Sequence, residues 1–162
     1  MPAPPARDAP ARDPSVLGLH HVTVIAGPAQ ANVDFHAGVL GLRLVKQTVN
    51  FDAPSVYHLY YADDRARPGS VLTFFPFPDA VRGRAGAGEA VEAAYAVPAG
   101  AHAYWMDRLA ALGYDAWDAP EERLGEAVLR LRDPDGTPLA LVEQPAVTGG
   151  WEDGPVPPDA AA

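Results

Sequence analysis

The sequence predicts an α+β fold of two tandem β-α-β-β-β units that pair into a curved sheet around a cavity. Three observations predict it. Spacing repeats: 14 residues separate His21 from Phe35 and Glu92 from Met106, and 37 separate His21 from His58 and Glu92 from Leu129. The helix stops Gly41 and Gly113 fall 20 and 21 residues after the same two starting points. The turn Asp133-Pro134-Asp135-Gly136 matches the one from Asp63 to Gly69. One four-stranded unit with one helix closes a core poorly, so two are expected to join edge to edge, with a ligand cavity on the concave side.

In the first half, Leu19 to Ile25 is a strand rich in β-branched residues, and a turn at Gly27-Pro28-Ala29-Gln30 leads into a short helix from Ala31 to Leu40. Strands follow at Leu42 to Val49, Val56 to Tyr61 and Ser70 to Pro76, the last ended by its proline. The second half repeats the order. Val91 to Val97 is a strand, Gly100 to Leu112 a helix, Tyr114 to Trp117 a short strand, and Ala127 to Arg132 and Pro138 to Glu143 the last two.

The expected boundaries are a disordered leader at 1–15, a first unit at 16–80, a Gly-rich linker at 81–89, a second unit at 90–147 and a disordered Pro/Ala tail at 148–162. A length of 162 residues suits this plan. The formal net charge of −9 argues against a nucleic-acid or anionic-membrane surface and favours a small ligand. Cysteine is absent, which excludes disulfides, thiolate-bound metals and thiol nucleophiles, so any metal must use His and carboxylate. Neither a signal-peptide core nor an 18-residue apolar run is present, and the protein reads as cytoplasmic. Gly83 to Gly88 is not followed by Lys and Ser or Thr as a phosphate loop requires, and no Gly-x-Ser-x-Gly elbow occurs.

The first strand opens on His20-His21. Alternation sends the two imidazoles to opposite faces and groups His21 with Thr23 on the more polar one, a common way to present a metal ligand. The alternative is a pair of edge histidines bonded to backbone or water. His36 and His102 fall on helices and are expected to be solvated. Phe74, Phe75 and Phe77 can line an aromatic-binding cavity or belong to plain core.

The repeated unit, the opening Leu19-His20-His21-Val22-Thr23 and the helix end Gly38-Val39-Leu40-Gly41-Leu42 together resemble the vicinal oxygen chelate superfamily. That group includes glyoxalase I, extradiol ring-cleaving dioxygenases and antibiotic-resistance proteins. More narrowly, Val45 to Asp52, Tyr57 to Asp63 and Pro68 to Pro76 resemble the N-terminal half of hydroquinone-type ring-cleaving dioxygenases. The resemblance implies the glyoxalase/dioxygenase-like fold and a divalent metal, Fe(II) or Mn(II), held by two His and one Glu. Such a facial triad leaves adjacent positions where a diol and O₂ bind side by side. His21 matches the family's ligand on the first strand. The dioxygenases it resembles are about twice as long, and their second His and Glu belong to a last unit that this sequence does not contain.

By strand register the superfamily's ligand positions fall on His21, Thr73, Glu92 and Ala140. Thr73 and Ala140 cannot replace a carboxylate. Glu92 is a candidate ligand or an edge glutamate that discourages strand pairing. Glu143, three residues past Ala140, needs a bulge to reach the same face, and is otherwise an exposed strand-end carboxylate. His58 is the candidate catalytic residue, moving protons for a bound phenol or diol, or else a core histidine. Tyr60, Thr73 and Phe75 are expected to contact substrate. The resemblance therefore implies a ring-cleaving dioxygenase-like protein acting on a catechol or hydroquinone, completed by a homodimer partner or by a chain resembling the missing half. A metal-free binding or resistance protein of the same fold is the alternative, and a glyoxalase-like isomerase is a third.

Overall fold

The structure, a computed structural model, describes residues 16–84, 86–114, 119–148 and 150–162. The expected leader and most of the expected strand from Tyr114 to Trp117 lie outside the described residues. The first unit comprises β1 (His21–Ala26), α1 (Ala29–Val33) running on into a π-helical turn (Asp34–Val39), β2 (Arg43–Val49), β3 (Tyr57–Ala62) and β4 (Val71–Pro76). The second comprises β5 (Ala93–Pro98), α2 (His102–Ala111), β6 (Glu121–Arg123), β7 (Glu126–Arg132) and β8 (Pro138–Gln144). The α+β class and the two-unit repeat are as expected, but the 37-residue spacing is off by one: register puts Val128, not Leu129, in the place of His58. β6 was not foreseen, because three consecutive charged residues carry no apolar alternation.

Each unit forms its own four-stranded sheet, ordered β1-β4-β3-β2 and β5-β8-β7-β6. In both, the first strand lies parallel to the last and the other pairs are antiparallel. Among the described residues the two sheets are separate ladders, joined by packing. Val22, Val24 and Ala26 of β1 turn inward, leaving His21, Thr23 and Ile25 on the other face. One core cluster unites Phe35, Tyr61 and Phe74 of the first half with Val97, Trp105, Leu129 and Leu141 of the second. Arg108 of α2 donates to the carbonyls of Val39 (2.8 Å) and Gly38 (2.7 Å), tying the helices together. The Gly27 N–H donates to Asp135 at 2.9 Å.

The matched turns repeat in atomic detail. Asp63 accepts the N–H groups of Arg65 and Arg67, and Asp133 accepts those of Asp135 and Thr137. Both carboxylates are buried, each holding its turn by satisfying N–H groups that the reversing chain would otherwise leave bare.

Three expectations are corrected. His36 and His102 are buried, not solvated, because each faces a sheet. His36 sits among the rings of Phe35, Tyr61 and Phe74, and His102 Nε2 lies 3.0 Å from the Leu141 carbonyl oxygen. His20 and His21 do not part to opposite faces: β1 begins at His21, so alternation does not bind His20, and the two Nδ1 atoms are 3.0 Å apart. The tail expected to be disordered contains Val156, Ala160 and Ala161, all in the core, and the Trp105 indole N–H donates to the Ala160 carbonyl at 3.0 Å. Its small apolar residues fit a seam that composition does not reveal. Gly41 is part of that fit: its φ is +69°, and a Cβ there would lie 2.6 Å from Val156 Cγ2.

Candidate functional site

The outward face of the first sheet brings together most of the residues singled out from sequence. Register pairs Thr23 of β1 with Thr73 of β4, and Thr73 with Tyr60 of β3, so these three side chains share a face. Tyr60 O is 2.8 Å from His58 Nδ1, His58 Nε2 is 3.1 Å from Thr73 Oγ1, and Thr73 Oγ1 donates to Thr23 Oγ1 at 2.9 Å. The His58 ring stacks between Tyr60 and Phe75, with centroids 4.1 and 4.0 Å away. His21 stands at the exposed start of β1 on this side, and the contact with His20 engages its Nδ1, leaving Nε2 for a ligand.

Lys46 was missed by the sequence reading. A β-bulge between Leu44 and Lys46 shifts the register of β2 and sets Lys46 opposite Tyr60, its ammonium 5.2 Å from the ring centroid. Simple alternation gives no hint of it. Burial first, then the charges of Lys46 and His21, lower the His58 pKa, which keeps its imidazole neutral at neutral pH.

Glu92 and Glu143 are placed elsewhere. Glu92 is held by two arginines of the second sheet, Arg123 at 2.6 Å and Arg130 at 3.2 Å. Glu143 lies on the helix side of β8 and accepts the His102 N–H at 2.9 Å, at the start of α2. Partial burial works to raise its carboxyl, but hydrogen bonds from His102 and Gly100 and the His102 charge outweigh this and hold it below the ordinary carboxylate range.

The second sheet repeats the same positions with different chemistry. Ala94 and Arg130 flank Ala140 as Thr23 and Tyr60 flank Thr73, and Val128 and Val142 stand where His58 and Phe75 do. Val128, Ala140 and Val142 form a small buried cluster of their own. Arg130 also reaches Glu121 at 3.3 Å, so small apolar side chains and an ion cluster fill the second cup. The first sheet carries polar and aromatic side chains at these positions, with Thr23 exposed and His58, Tyr60 and Phe75 half-buried. A cavity of about 630 Å³ lies at the seam between β4 and β5, lined by Leu72, Tyr95 and Ala162, and none of His21, His58, Tyr60 or Thr73 borders it.

A family model described as the Glyoxalase/Bleomycin resistance protein/Dioxygenase superfamily matches residues 18–141. The chain belongs to this superfamily. Within the superfamily it is 45% identical over 149 residues to MhqO of Bacillus subtilis (strain 168), which carries the name of a ring-cleaving dioxygenase; the match covers 90% of this chain and 46% of MhqO. It is 38% identical over 132 residues to chlorohydroquinone/hydroquinone 1,2-dioxygenase of Sphingobium indicum, covering 80% of this chain and 41% of that protein. The chain thus spans under half the length of these curated relatives. A crystal structure of a B. subtilis protein described as a dioxygenase superposes with a TM-score of 0.83 at 45% identity, over 90% of this chain and 47% of that one. A fosfomycin resistance protein of Listeria monocytogenes, crystallised with Mn(II), shares the superfamily fold at a TM-score of 0.56 and 16% identity, over 78% of this chain and 91% of its own.

Superfamily membership raises the question of a metal. Among the described residues no group of three His, Asp or Glu side chains could hold one. The residues present therefore do not fit a closed three-ligand centre, and His21 is one imidazole with its remaining partners unaccounted for. Among the described residues no helix is long and apolar enough to cross a membrane.

Proposed function

We propose that this chain supplies the substrate-facing half of a ring-cleaving dioxygenase acting on a catechol or hydroquinone. One observation carries the reading: an outward sheet face holding His21, His58, Tyr60, Thr73 and Phe75 together, in a chain 45% identical to a named ring-cleaving dioxygenase over 149 residues. An aromatic ring lies against Phe75 and His58, with its oxygens toward His21 and Thr23. His21 would give one imidazole to a divalent metal, Fe(II) or Mn(II), with the remaining ligands supplied by a second copy or by a chain resembling the other half.

The test is metal content and mass in solution of the purified chain, supplied with Fe(II) or Mn(II), beside His21→Ala. Stoichiometric metal in an assembly of two chains, lost in the variant, is the expected result. A monomer that binds aromatic diols with no metal in either protein overturns it. That outcome supports a second reading, a metal-free aromatic-binding protein, which the absence of a three-ligand group among the described residues favours.

A further inference from the structure

The four hydrogen-bonded side chains on the open face have a direction. A phenol is a stronger donor and a weaker acceptor than an alkyl alcohol, so the Tyr60 hydroxyl donates to His58 Nδ1, 2.8 Å away. In a neutral imidazole Nε2 then carries the ring proton and donates it to the Thr73 oxygen at 3.1 Å. Thr73 is left with its one hydroxyl proton to give to Thr23, 2.9 Å away. The sequence of donation runs Tyr60 to His58 to Thr73 to Thr23 across three strands. Only the last hydroxyl proton is unspent, and Thr23 is exposed beside His21.

We propose that this chain of donors reads the ligand: it presents the Thr23 hydroxyl as a hydrogen-bond donor and selects an aromatic ring bearing an acceptor oxygen, a phenolate above all. The inference rests on the aromatic-ligand reading of this face and adds its specificity. Were His58 protonated on Nδ1 instead, every bond would reverse. Thr23 would then spend its proton on Thr73 and offer the ligand only lone pairs. Tyr60, distant from Thr23, is thus a positioning residue that fixes which of the two states exists. The groups facing His58 favour the neutral ring that this needs: Lys46 from β2 and His21 from β1 oppose a further positive charge, Phe75 from β4 covers one side, and Tyr60 covers the other.

The test measures binding of 4-nitrophenolate and of 4-nitroanisole, at mildly alkaline pH, to the whole chain and to Thr73→Val, Thr73→Ser and Tyr60→Phe. The ring nitrogens of His58 are followed by ¹⁵N NMR. A hydrogen bond to a charged acceptor predicts roughly a tenfold preference for the phenolate in the unaltered protein. That preference is lost in Thr73→Val, kept in Thr73→Ser and reduced in Tyr60→Phe, with His58 protonated on Nε2 in the unaltered protein. Nitroanisole binding with full phenolate preference in Thr73→Val, or a His58 proton on Nδ1, overturns the inference and leaves the site reading standing. If neither probe binds the unaltered protein, the aromatic-ligand reading falls and the inference with it.

Discussion

His36 ties stability to pH in a way that can be calculated. Its ring lies in the core with its centroid 4.4 Å from that of Phe74 and 5.1 Å from that of Tyr61. Nδ1–H donates to the Asn32 carbonyl at 3.0 Å, and Nε2 has no partner. Burial disfavours the charged ring far more than the Asn32 bond favours it, and the pKa is pushed down from 6.5 to about 4. The unfolded chain therefore binds a proton that the folded chain refuses. Stability linked to the neutral ring is fully present above about pH 6.5 and is lost as pH falls toward about 4. Integrating over the window, acidification from about pH 7.5 to about pH 4.5 costs about 2–3 kcal/mol through this residue alone. His36→Gln keeps a donor for the carbonyl and removes the titration. Urea unfolding of both proteins at matched pH isolates the effect, because every other titrating group cancels in the difference. The unaltered chain is expected to lose about 2–3 kcal/mol more than the variant across this range. Parallel stability profiles between about pH 6.5 and about pH 4.5 refute the reasoning.

Other expected outcomes follow from contacts already described. Glu143→Ala leaves the start of α2 without its side-chain acceptor and is expected to cost about 1 kcal/mol in a denaturant melt at neutral pH. The penalty fades under acid, since the carboxylate's contribution is lost as pH falls through its depressed pKa. Arg108→Met keeps the aliphatic packing but removes the donors to Val39 and Gly38, and a loss of about 1–3 kcal/mol is expected by the same method. Trp105→Phe deletes the anchor to Ala160; faster amide exchange confined to residues 156–161, with global stability falling less, is the expected readout.

Most of the fold is legible in the sequence because strand alternation and helix stops are local signals, and the repeat states them twice. The site is legible in part for the same reason. Alternation alone groups His58 with Tyr60 and His21 with Thr23. Lys46 is not legible, since the bulge that turns it to this face reflects how β2 fits β3, not the residues of β2. Nor are the partners of Glu92 and Glu143: each carboxylate answers a group far along the chain, an arginine or a helix start, that no spacing rule connects to it. Burial of His36 and of the tail shares that cause. A histidine on a short helix and an alanine-rich end look solvated until the opposing surface is known.

The filled cup of the second sheet bears on what the first cup is for. The same backbone plan is finished there with alanine, valine and an ion cluster, which shows that folding asks nothing more of these positions. Thr73, fully enclosed yet polar, and the half-buried His58 and Tyr60 add no packing that their counterparts Ala140, Val128 and Arg130 do not achieve by simpler means. The duplicate in the same chain is the internal standard against which the role proposed for the first sheet is measured.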